Sequence, residues 1–410
     1  MNSSASFVFL SLGRLPREKG YIACSHLLKS NPPPDKQTSS ELPIFEWTEI
    51  CTAWLSPDGQ LAGGMEEEEV LPGAATHDSM ASSSILSATS PLEAAHSSDI
   101  DVVQAWENLL SAPEEHHFEN GRRYHMFRQG RYPIPNDEDE QVREDMKHAM
   151  LLELTGGKLF YAPIGDSPEK IMDIGTGTGI WAIDVADVYP GAEVLGTDLS
   201  AIQPDLVPPN VRFVVDDVED PEWLNGSNWD LIHLRMVSGS LIDIQGVFNR
   251  CYEHIRPGGW IELQDMHAFP QCDDNTMKPD DFLLAFYKLV HQSFNARGMD
   301  HRNRPKEMKS YLQQAGFTNI KCIVKKTPVG PWAKGDQLQR IGECMKYAIY
   351  DLLPSLVKPL EAIEISRIEA EVWFVKVRKT LEDNSIHRYF NYYFWYAQKP
   401  GPDERTPTHP

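Results

Sequence analysis

Between residues 170 and 265 the chain repeats one pattern, a short apolar run that ends in polar residues, followed by a segment long enough for a helix. Parallel strands need such crossover segments because a tight turn cannot join them, and fully apolar runs are typical of strands buried on both faces. The pattern predicts an α/β fold with a doubly wound, mainly parallel sheet. The predicted strands are KIMDIG (170–175), AEVLGTD (192–198), VRFVVDD (211–217), WDLIHLR (229–235) and WIELQD (260–265).

Two later runs and three helical segments complete this prediction. The runs NIKCIVKK (319–326) and HRYFNYYFWYAQK (387–399) extend the sheet to seven strands. Apolar residues recur every four positions over residues 139–154, as an amphipathic helix requires, and the following glycines end that helix. Further helical stretches are predicted over residues 333–353 and 359–381.

The first hundred residues have a different composition. They are rich in Ser, Pro, Ala and Gly and include an acidic run at residues 66–69, so they cannot bury enough apolar surface to offset the entropy of ordering. We expect residues 1–103 to be a mostly disordered extension, with one domain over 104–398 and a flexible tail over 399–410. Within the extension, ELPIFEWTEICTAWL (41–55) is apolar enough for one short helix or a docking peptide.

The charge and the cysteines exclude several classes of function. The chain carries 38 Lys and Arg against 60 Asp and Glu, a formal net charge of -22 that repels nucleic-acid phosphates and anionic lipid headgroups. We therefore expect neither direct nucleic-acid binding nor membrane binding. The six cysteines show no C-x-x-C pairing or metal-ligand spacing, which favours reduced thiols and predicts no metal site.

A glycine-rich loop follows the first predicted strand in the stretch IMDIGTGTGIWAID (171–184). In a doubly wound sheet this turn lies beyond the carboxyl ends of the strands, where ligands bind. Glycines at 175, 177 and 179 allow a sharp turn and a close approach of the backbone to a ligand. The spacing is G-x-G-x-G, whereas a dinucleotide site has G-x-G-x-x-G. An NAD-type oxidoreductase is therefore disfavoured.

Acidic residues stand at the ends of three successive predicted strands. Asp173 precedes the glycines, where a carboxylate suits a cationic group and repels a diphosphate. Asp198 ends the second strand, where it can accept hydrogen bonds from ribose hydroxyls. Asp217 ends the third strand and can accept from an adenine amino group. Together with the glycines, these acids indicate a site for a cationic nucleoside without phosphates.

These motifs resemble those of the class I S-adenosylmethionine-dependent methyltransferases. MDIGTGTG resembles their first motif, GTDLS their second, VVDDVED their third, and IRPGGWIELQD the motif that ends in their fifth strand. ENGRRYHMFRQGRYPIPNDEDEQVREDMKH (119–148) and GIWAIDVADVYP are similar to the fungal LaeA-like methyltransferases. The resemblance covers residues 104–398. It implies a Rossmann-like fold with a cofactor-binding core at 168–266 and a helical acceptor region with late strands at 267–386, including a helical lid over the acceptor site.

The resemblance also implies which residues bind S-adenosyl-L-methionine. One set would line the methionine side, the next the ribose and adenine, and Arg235 would lie between cofactor and acceptor. The segment over residues 119–125 would fold over the cofactor, with Tyr124 or Arg123 at its methionine end; the alternative is that Arg122 and Arg123 pair with the acids at 137–140. The implied cofactor residues are Asp173, Gly175, Thr176, Gly177, Gly179, Asp198, Leu199, Asp217, Val218, Arg235 and Tyr124.

Methyl transfer from a sulfonium needs mainly proximity, and a base helps if the acceptor is a hydroxyl or an acidic carbon. His267, after the fifth strand, and His125, in the segment over the cofactor, are the candidate bases, whereas His233 is expected in the core. Aromatic residues that could line an acceptor pocket also have the spacing of ordinary core faces, which is the favoured interpretation for most of them. They are Phe282, Phe286, Tyr287, Phe294, Trp332, Tyr347, Tyr350, Trp373 and Phe374.

Three functions follow from the resemblance. The first is an enzyme that methylates a small molecule in fungal secondary metabolism, in the cytoplasm. The second is a LaeA-like regulator that acts in a nuclear protein complex, with the N-terminal extension and the acidic surface as contacts for a regulatory protein partner. The third is a protein methyltransferase, which would need an open groove for its acceptor.

Overall fold

The computed structural model describes residues 116–300 and 305–402; the predictions for residues 1–103, including the segment 41–55, lie outside this part of the chain. Nine strands and eight α-helices are described there. The strands are β1 (His116–Glu119), β2 (Arg122–His125), β3 (Lys170–Ile174), β4 (Glu193–Asp198), β5 (Val211–Val215), β6 (Trp229–Arg235), β7 (Ile255–Met266), β8 (Thr318–Pro328) and β9 (Tyr389–Gln398). The helices are α1 (Glu138–Thr155), α2 (Ile180–Val188), α3 (Ile244–His254), α4 (Phe282–Asn295), α5 (Pro305–Ala315), α6 (Asp336–Leu352), α7 (Val357–Glu361) and α8 (Arg367–Leu381).

The seven later strands form one sheet in the order β5-β4-β3-β6-β7-β9-β8. Strands β3 to β7 pair in parallel, and β9 runs antiparallel to both β7 and β8. The predicted seven-stranded, mainly parallel sheet is confirmed. The strand order reverses direction between β3 and β6, so the crevice for a ligand lies at the carboxyl ends of these two strands.

Most predicted elements coincide with observed ones, and two differ. Strand β7 begins five residues before the predicted run, at Ile255, because Ile255 pairs with Trp229 ahead of a register shift. The helix predicted over 359–381 is interrupted: α7 ends at Glu361, and α8 begins only after Ser366. A capping box explains this new start, since Ser366 and Glu369 satisfy each other's backbone N–H groups.

Apolar residues cover both faces of the sheet, as the doubly wound prediction requires. Met172 and Ile174 of β3 belong to one buried cluster, whereas Ile171 belongs to the other. Successive side chains of a strand point to opposite faces, so the two clusters lie on either side of β3. Among the described helices, none has the length and apolar character that crossing a bilayer requires.

Candidate functional site

A cavity of about 340 Å³ lies at the carboxyl ends of the parallel strands. Its floor is the glycine loop after β3 and the ends of β4 to β7, and the segment 126–137 that follows the β1–β2 hairpin contributes another wall. Helices α1, α4 and α6 provide the remaining sides. Of the predicted cofactor residues, those that line the cavity are Gly175, Thr176, Gly177, Asp198, Leu199, Asp217, Val218 and Arg235.

The three loop glycines all have positive φ angles, of 66° at Gly175, 57° at Gly177 and 81° at Gly179. This left-handed conformation favours glycine over residues with a Cβ atom. A Cβ at Gly175 would lie 2.4 Å from Val237, and one at Gly179 would lie 2.4 Å from Phe213, so both positions need glycine for packing as well. Nothing lies within 4 Å of a Cβ at Gly177, which leaves its bare backbone facing the cavity.

Asp198, at the end of β4, joins this loop. Its two carboxylate oxygens accept the backbone N–H groups of Gly177 and Ser200, each at 2.9 Å. Burial raises the pKa of Asp198, and these two hydrogen bonds oppose that rise. Each oxygen has a further acceptor site, so the carboxylate can still accept hydroxyl groups of a ligand.

Asp217 and the segment 126–137 form the end of the cavity beyond β5. Asp217 is buried, and its carboxylate accepts the backbone N–H of Glu219 at 3.0 Å. Arg131 pairs with Glu219 and lies 3.6 Å from the Asp217 carboxylate, which ties the segment to the sheet at this end. A second, exposed tie joins Arg128 to Asp220 at 2.7 Å. Asp217 therefore lines the cavity beyond the end of β5.

Asp173 departs from its expected position, because its side chain does not line the cavity. One carboxylate oxygen accepts the hydroxyl of Thr176 at 2.7 Å, and the other lies 2.8 Å from Nδ1 of His233. His233 is fully buried and stacks on Trp181 with ring centroids 3.6 Å apart, as expected for a core residue. These contacts make Asp173 a support of the glycine loop instead of a direct contact for a ligand.

The hairpin residues have structural partners. Tyr124 is buried and does not line the cavity. Arg122 donates to both carboxylate oxygens of Asp137, at 2.5 and 2.8 Å, and Arg123 donates to Glu138 at 3.0 Å. This is the alternative in which the two arginines pair with the acids at 137–140. The hairpin thus holds the N-terminus of α1 beside the cavity.

Neither of the two candidate histidines, His125 and His267, is placed to act as a base in this geometry. His125 lines the cavity, but its Nδ1 lies 2.7 Å from the Phe127 carbonyl and its Nε2 accepts the Tyr132 N–H at 3.2 Å. Both ring nitrogens therefore hold the segment 126–137. His267 does not line the cavity, although the residues on either side of it do.

Arg235, at the end of β6, lines the cavity as predicted. Its guanidinium donates to Nδ1 of His148 at 2.8 Å, and His148 in turn lies 2.8 Å from a carboxylate oxygen of Asp184. Burial lowers the pKa of Arg235. Within residues 116–300 and 305–402 this arginine forms no direct ion pair with a carboxylate, so it can bind an anionic group of a ligand.

Sequence reasoning missed Asp265, which ends the run WIELQD. This aspartate is buried, lines the cavity and accepts the Ser238 hydroxyl at 2.7 Å. Burial raises its pKa to about 6. The signal was present in the sequence, since Asp265 ends an apolar run in the same way as Asp198 and Asp217 do.

The wall of the cavity that α4 and α6 form is largely apolar. Of the nine predicted aromatic residues, Tyr287 and Phe294 of α4 line it, together with aliphatic residues of α6. The other seven do not line the cavity. Phe282 of α4 stacks on Trp373 of α8 with ring centroids 4.7 Å apart, as the interpretation as core faces predicts.

The residues present fit a cationic nucleoside such as S-adenosylmethionine. The bare backbone at Gly177 leaves room for a ligand, and Asp198 has free acceptor sites. Arg235 can bind the carboxylate at the amino-acid end of such a ligand. In the described part of the chain, no group of three or more His, Cys, Asp or Glu residues is arranged to hold a metal ion.

Comparison with known proteins identifies the family of the chain. Residues 143–321 match the family described as "Methyltransferase domain". The methyltransferase pytC of Aspergillus terreus is 37% identical over 304 residues, 73% of this chain and 93% of pytC. The secondary metabolism regulator LAE1 of Cochliobolus heterostrophus is 38% identical over 303 residues, 71% of this chain and 97% of LAE1. The regulator laeA of Aspergillus niger is 35% identical over 294 residues, 69% of this chain and 76% of laeA. The chain belongs to the LaeA-like family of S-adenosylmethionine-dependent methyltransferases.

Proposed function

We propose that this methyltransferase transfers a methyl group to a small-molecule acceptor in fungal secondary metabolism. The observation that carries the proposal is the continuity of one cavity, which runs from the glycine loop to the apolar side chains of α4 and α6. Helices and the segment 126–137 wall the cavity on several sides, which suits a small molecule better than an extended peptide. The relative pytC, a methyltransferase by name, supports methyl transfer as the reaction.

In this proposal the cofactor lies across the ends of β3 to β6. Gly175, Thr176 and Gly177 hold its methionine side through bare backbone, and Gly179 permits the turn into α2. The ribose is held at Asp198 and Leu199, the adenine at Asp217 and Val218, and the amino-acid end at Arg235. Asp173 contributes by fixing the loop through Thr176. Tyr124 contributes by packing within the hairpin.

S-adenosylmethionine supplies a methyl group that its positively charged sulfur already activates. The work left to the protein is to hold the acceptor close to that methyl group and to exclude water. The segment 126–137, tied down by Arg131, covers the site, and α4 and α6 contribute apolar walls. Proximity of this kind supplies several kcal/mol of the barrier, on the order of 7 or more in favourable cases.

The test is deletion of the gene followed by comparison of metabolite profiles. Loss of one methylated product, with accumulation of its unmethylated precursor, is the expected result. Purified protein with S-adenosylmethionine should then methylate that precursor. Silence of many unrelated pathways, with no accumulated precursor, would contradict the proposal.

The second candidate is a regulator of secondary metabolism, which the relatives LAE1 and laeA favour because both are regulators by name. In that case the protein acts in the nucleus with a protein partner, which the first hundred residues and the net charge of -22 would help to bind. For the enzyme of a biosynthetic pathway we propose a cytoplasmic location. Imaging of a tagged full-length chain distinguishes the two locations.

A further inference from the structure

The cavity contains a buried carboxylate that has no role in the cofactor site proposed above. Asp265 is the penultimate residue of β7, is 4% exposed and lines the cavity. The Ser238 hydroxyl donates to it at 2.7 Å, and backbone N–H groups of Val237 and Ser238 also stabilise its ionised form. A carboxylate has about four acceptor sites, so these three donors leave it able to accept one more hydrogen bond.

Asp265 lies close to the glycine loop. The turn that holds it contains Val237, whose side chain occupies the space where Gly175 would have a Cβ, at 2.4 Å. Val237 therefore lies between the Asp265 carboxylate and the glycine loop, which would hold the methionine side of the cofactor. A group bound at Asp265 would lie beside that part of the cavity.

A second buried polar group lines the same cavity without a partner. The hydroxyl of Tyr392 in β9 is fully buried, and within the described residues it forms no hydrogen bond. Tyr392 pairs with Met266, the residue next to Asp265, so the two polar residues lie on neighbouring strands but belong to opposite faces of the sheet. Both line the cavity at the end of the sheet. A buried hydroxyl without a partner is costly, and a polar ligand group can remove that cost.

Apolar and cationic side chains define what else the ligand must be. Tyr287, Val290 and Phe294 of α4, with Met345 and Ile349 of α6, line the cavity and suit a flat apolar body. Arg143 and Lys147 of α1 line it as well, but they pair with Glu140 and Glu144 of the same helix. Arg235 of β6 forms no ion pair with a carboxylate of the described residues, so it opposes a second cation such as an alkylammonium. The titratable and charged groups that line the cavity besides Asp265 are Glu140, Arg143, Glu144 and Lys147 of α1, Asp198 of β4, Asp216, Asp217 and Glu219 after β5, Arg235 of β6, Tyr287 of α4, Tyr392 of β9, His125 of β2, and Arg131 and Tyr132 of the segment 126–137.

We propose that Asp265 is the general base of the reaction and that the acceptor is a neutral, largely apolar molecule with a phenolic or enolic hydroxyl. This inference rests on the proposed function. The acceptor hydroxyl donates to Asp265 and its apolar body packs between α4 and α6. Burial raises the pKa of Asp265 to about 6, so at neutral pH the carboxylate is ionised and can accept a proton.

The step balances as a proton transfer coupled to methyl transfer. The acceptor O–H bond breaks, its electron pair stays on oxygen and the proton bonds to a carboxylate oxygen of Asp265. An oxygen electron pair forms the bond to the methyl carbon as the carbon–sulfur bond breaks toward sulfur. Lys147 lines the same cavity and its positive charge acts on Asp265, so it would favour the negative charge that develops on the acceptor oxygen. The proton leaves Asp265 for water when the product departs.

The first test measures binding alone. Protein saturated with S-adenosylhomocysteine is titrated with 2-naphthol and with naphthalene, which lacks the hydroxyl, between pH 5 and pH 8. The wild type should bind 2-naphthol about tenfold or more tightly than naphthalene at pH 8, and this advantage should shrink several-fold below pH 6 as Asp265 is protonated. Asp265→Asn should remove the pH dependence. Asp187→Asn, an exposed change on α2, is the matched control and should behave as the wild type.

The second test measures methylation of two phenols at pH 8. Asp265→Asn should lower the rate on 2-naphthol by about 10²- to 10⁴-fold, the usual contribution of a general base. The rate on 4-nitrophenol, which is already ionised in solution, should fall by less than about tenfold because no proton remains to be removed. Equal losses on both phenols would overturn the inference, as would unchanged binding of 2-naphthol by the variant.

The outcomes also separate this inference from the proposed function. A wild-type protein that binds S-adenosylmethionine but methylates neither phenol overturns the inference about the acceptor and leaves the methyltransferase site intact. A wild-type protein that does not bind S-adenosylmethionine overturns the proposed site itself. Calorimetric titration with S-adenosylmethionine, done first, decides between these two cases.

Discussion

The Asp198 carboxylate accepts the backbone N–H of Gly177 at 2.9 Å, which connects the end of β4 to the glycine loop after β3. One side chain thereby orders the bare backbone that would face the methionine part of the cofactor and also offers acceptor sites for its ribose. The relative positions of the end of β4 and the glycine loop are therefore fixed before a ligand binds to both. Preorganisation of this kind lowers the entropic cost of binding.

Alanine at Gly177 and alanine at Gly179 should have different effects. Both substitutions place a Cβ on a residue with positive φ, which costs on the order of 1 to 2 kcal/mol of stability. Only Gly179→Ala also places its Cβ in a steric clash, 2.4 Å from the Phe213 ring. The loss of stability of this variant should therefore be larger by about 1 to 3 kcal/mol. Gly177→Ala should instead weaken S-adenosylhomocysteine about tenfold or more, since its methyl group enters the cavity.

Urea denaturation and calorimetric titration measure the two effects separately. Wild-type affinity for S-adenosylhomocysteine in Gly177→Ala would show that the ligand does not approach this part of the loop.

Arg235→Gln should weaken only ligands that carry an amino-acid end. A charge-assisted hydrogen bond contributes about 1.5 to 3 kcal/mol, so S-adenosylhomocysteine should bind about 10- to 150-fold more weakly to the variant. 5′-Methylthioadenosine, which lacks the carboxylate, should bind within about twofold of the wild type. Arg212→Gln, at an exposed pair with Glu193, is the control. An equal loss for both ligands would mean that Arg235 acts through the structure of the site instead.

Arg131→Ala should release bound S-adenosylhomocysteine faster than the wild type does. Arg131 is three-quarters buried and ties the segment 126–137 to Glu219, so its loss should let the segment open. An increase in the dissociation rate of about tenfold is expected if the tie contributes about 1.4 kcal/mol. Arg128→Ala removes the exposed pair with Asp220 and should change the rate by less than about twofold.

Stopped-flow fluorescence on both variants gives these rates. Equal effects of the two substitutions would contradict the assignment of Arg131 as the main tie of this segment.

Glu262 should make the folded state less stable as pH rises toward 7. Its buried carboxyl accepts the N–H groups of Tyr161 and Ala162, both at 2.7 Å, and burial raises its pKa to about 7 from the ordinary value of 4.5. The folded protein then holds a proton that the unfolded chain releases, so stability falls between about pH 4.5 and 7 by on the order of 3 kcal/mol.

Glu262→Gln keeps an acceptor for the two N–H groups and cannot ionise. Thermal denaturation between pH 5 and pH 8 should therefore show a smaller loss of stability with rising pH in this variant than in the wild type. Parallel curves for the two proteins would show that Glu262 ionises normally in the folded state.

The sheet could be predicted from the sequence because each strand is a short apolar run, which can be recognised without knowledge of the rest of the chain. Strand β6 has the predicted bounds, and β3 and β4 differ from them by one residue. The break between α7 and α8 was missed, because a single capping box at Ser366 decides it within a sequence that stays helical in character on both sides.

The residues at the ends of the parallel strands could be predicted from the sequence, whereas the direction of individual side chains could not. Asp198 and Asp217 follow from strand ends, since parallel strands bring their carboxyl ends together. Asp173 and His267 were assigned from position along the chain, but side-chain direction decides their contacts: Asp173 turns toward Thr176 and His233, and His267 does not line the cavity. Such directions depend on tertiary packing, which the sequence pattern alone does not contain.

Calorimetric titration of the wild type and of Asp198→Ala with S-adenosylmethionine tests the central claim most directly. The account predicts one ligand bound per wild-type chain and loss of the binding heat in the variant, because the substitution removes both the ribose acceptor and the hydrogen bond to Gly177. Absence of binding by the wild type, or unchanged affinity in a folded Asp198→Ala variant, would contradict it.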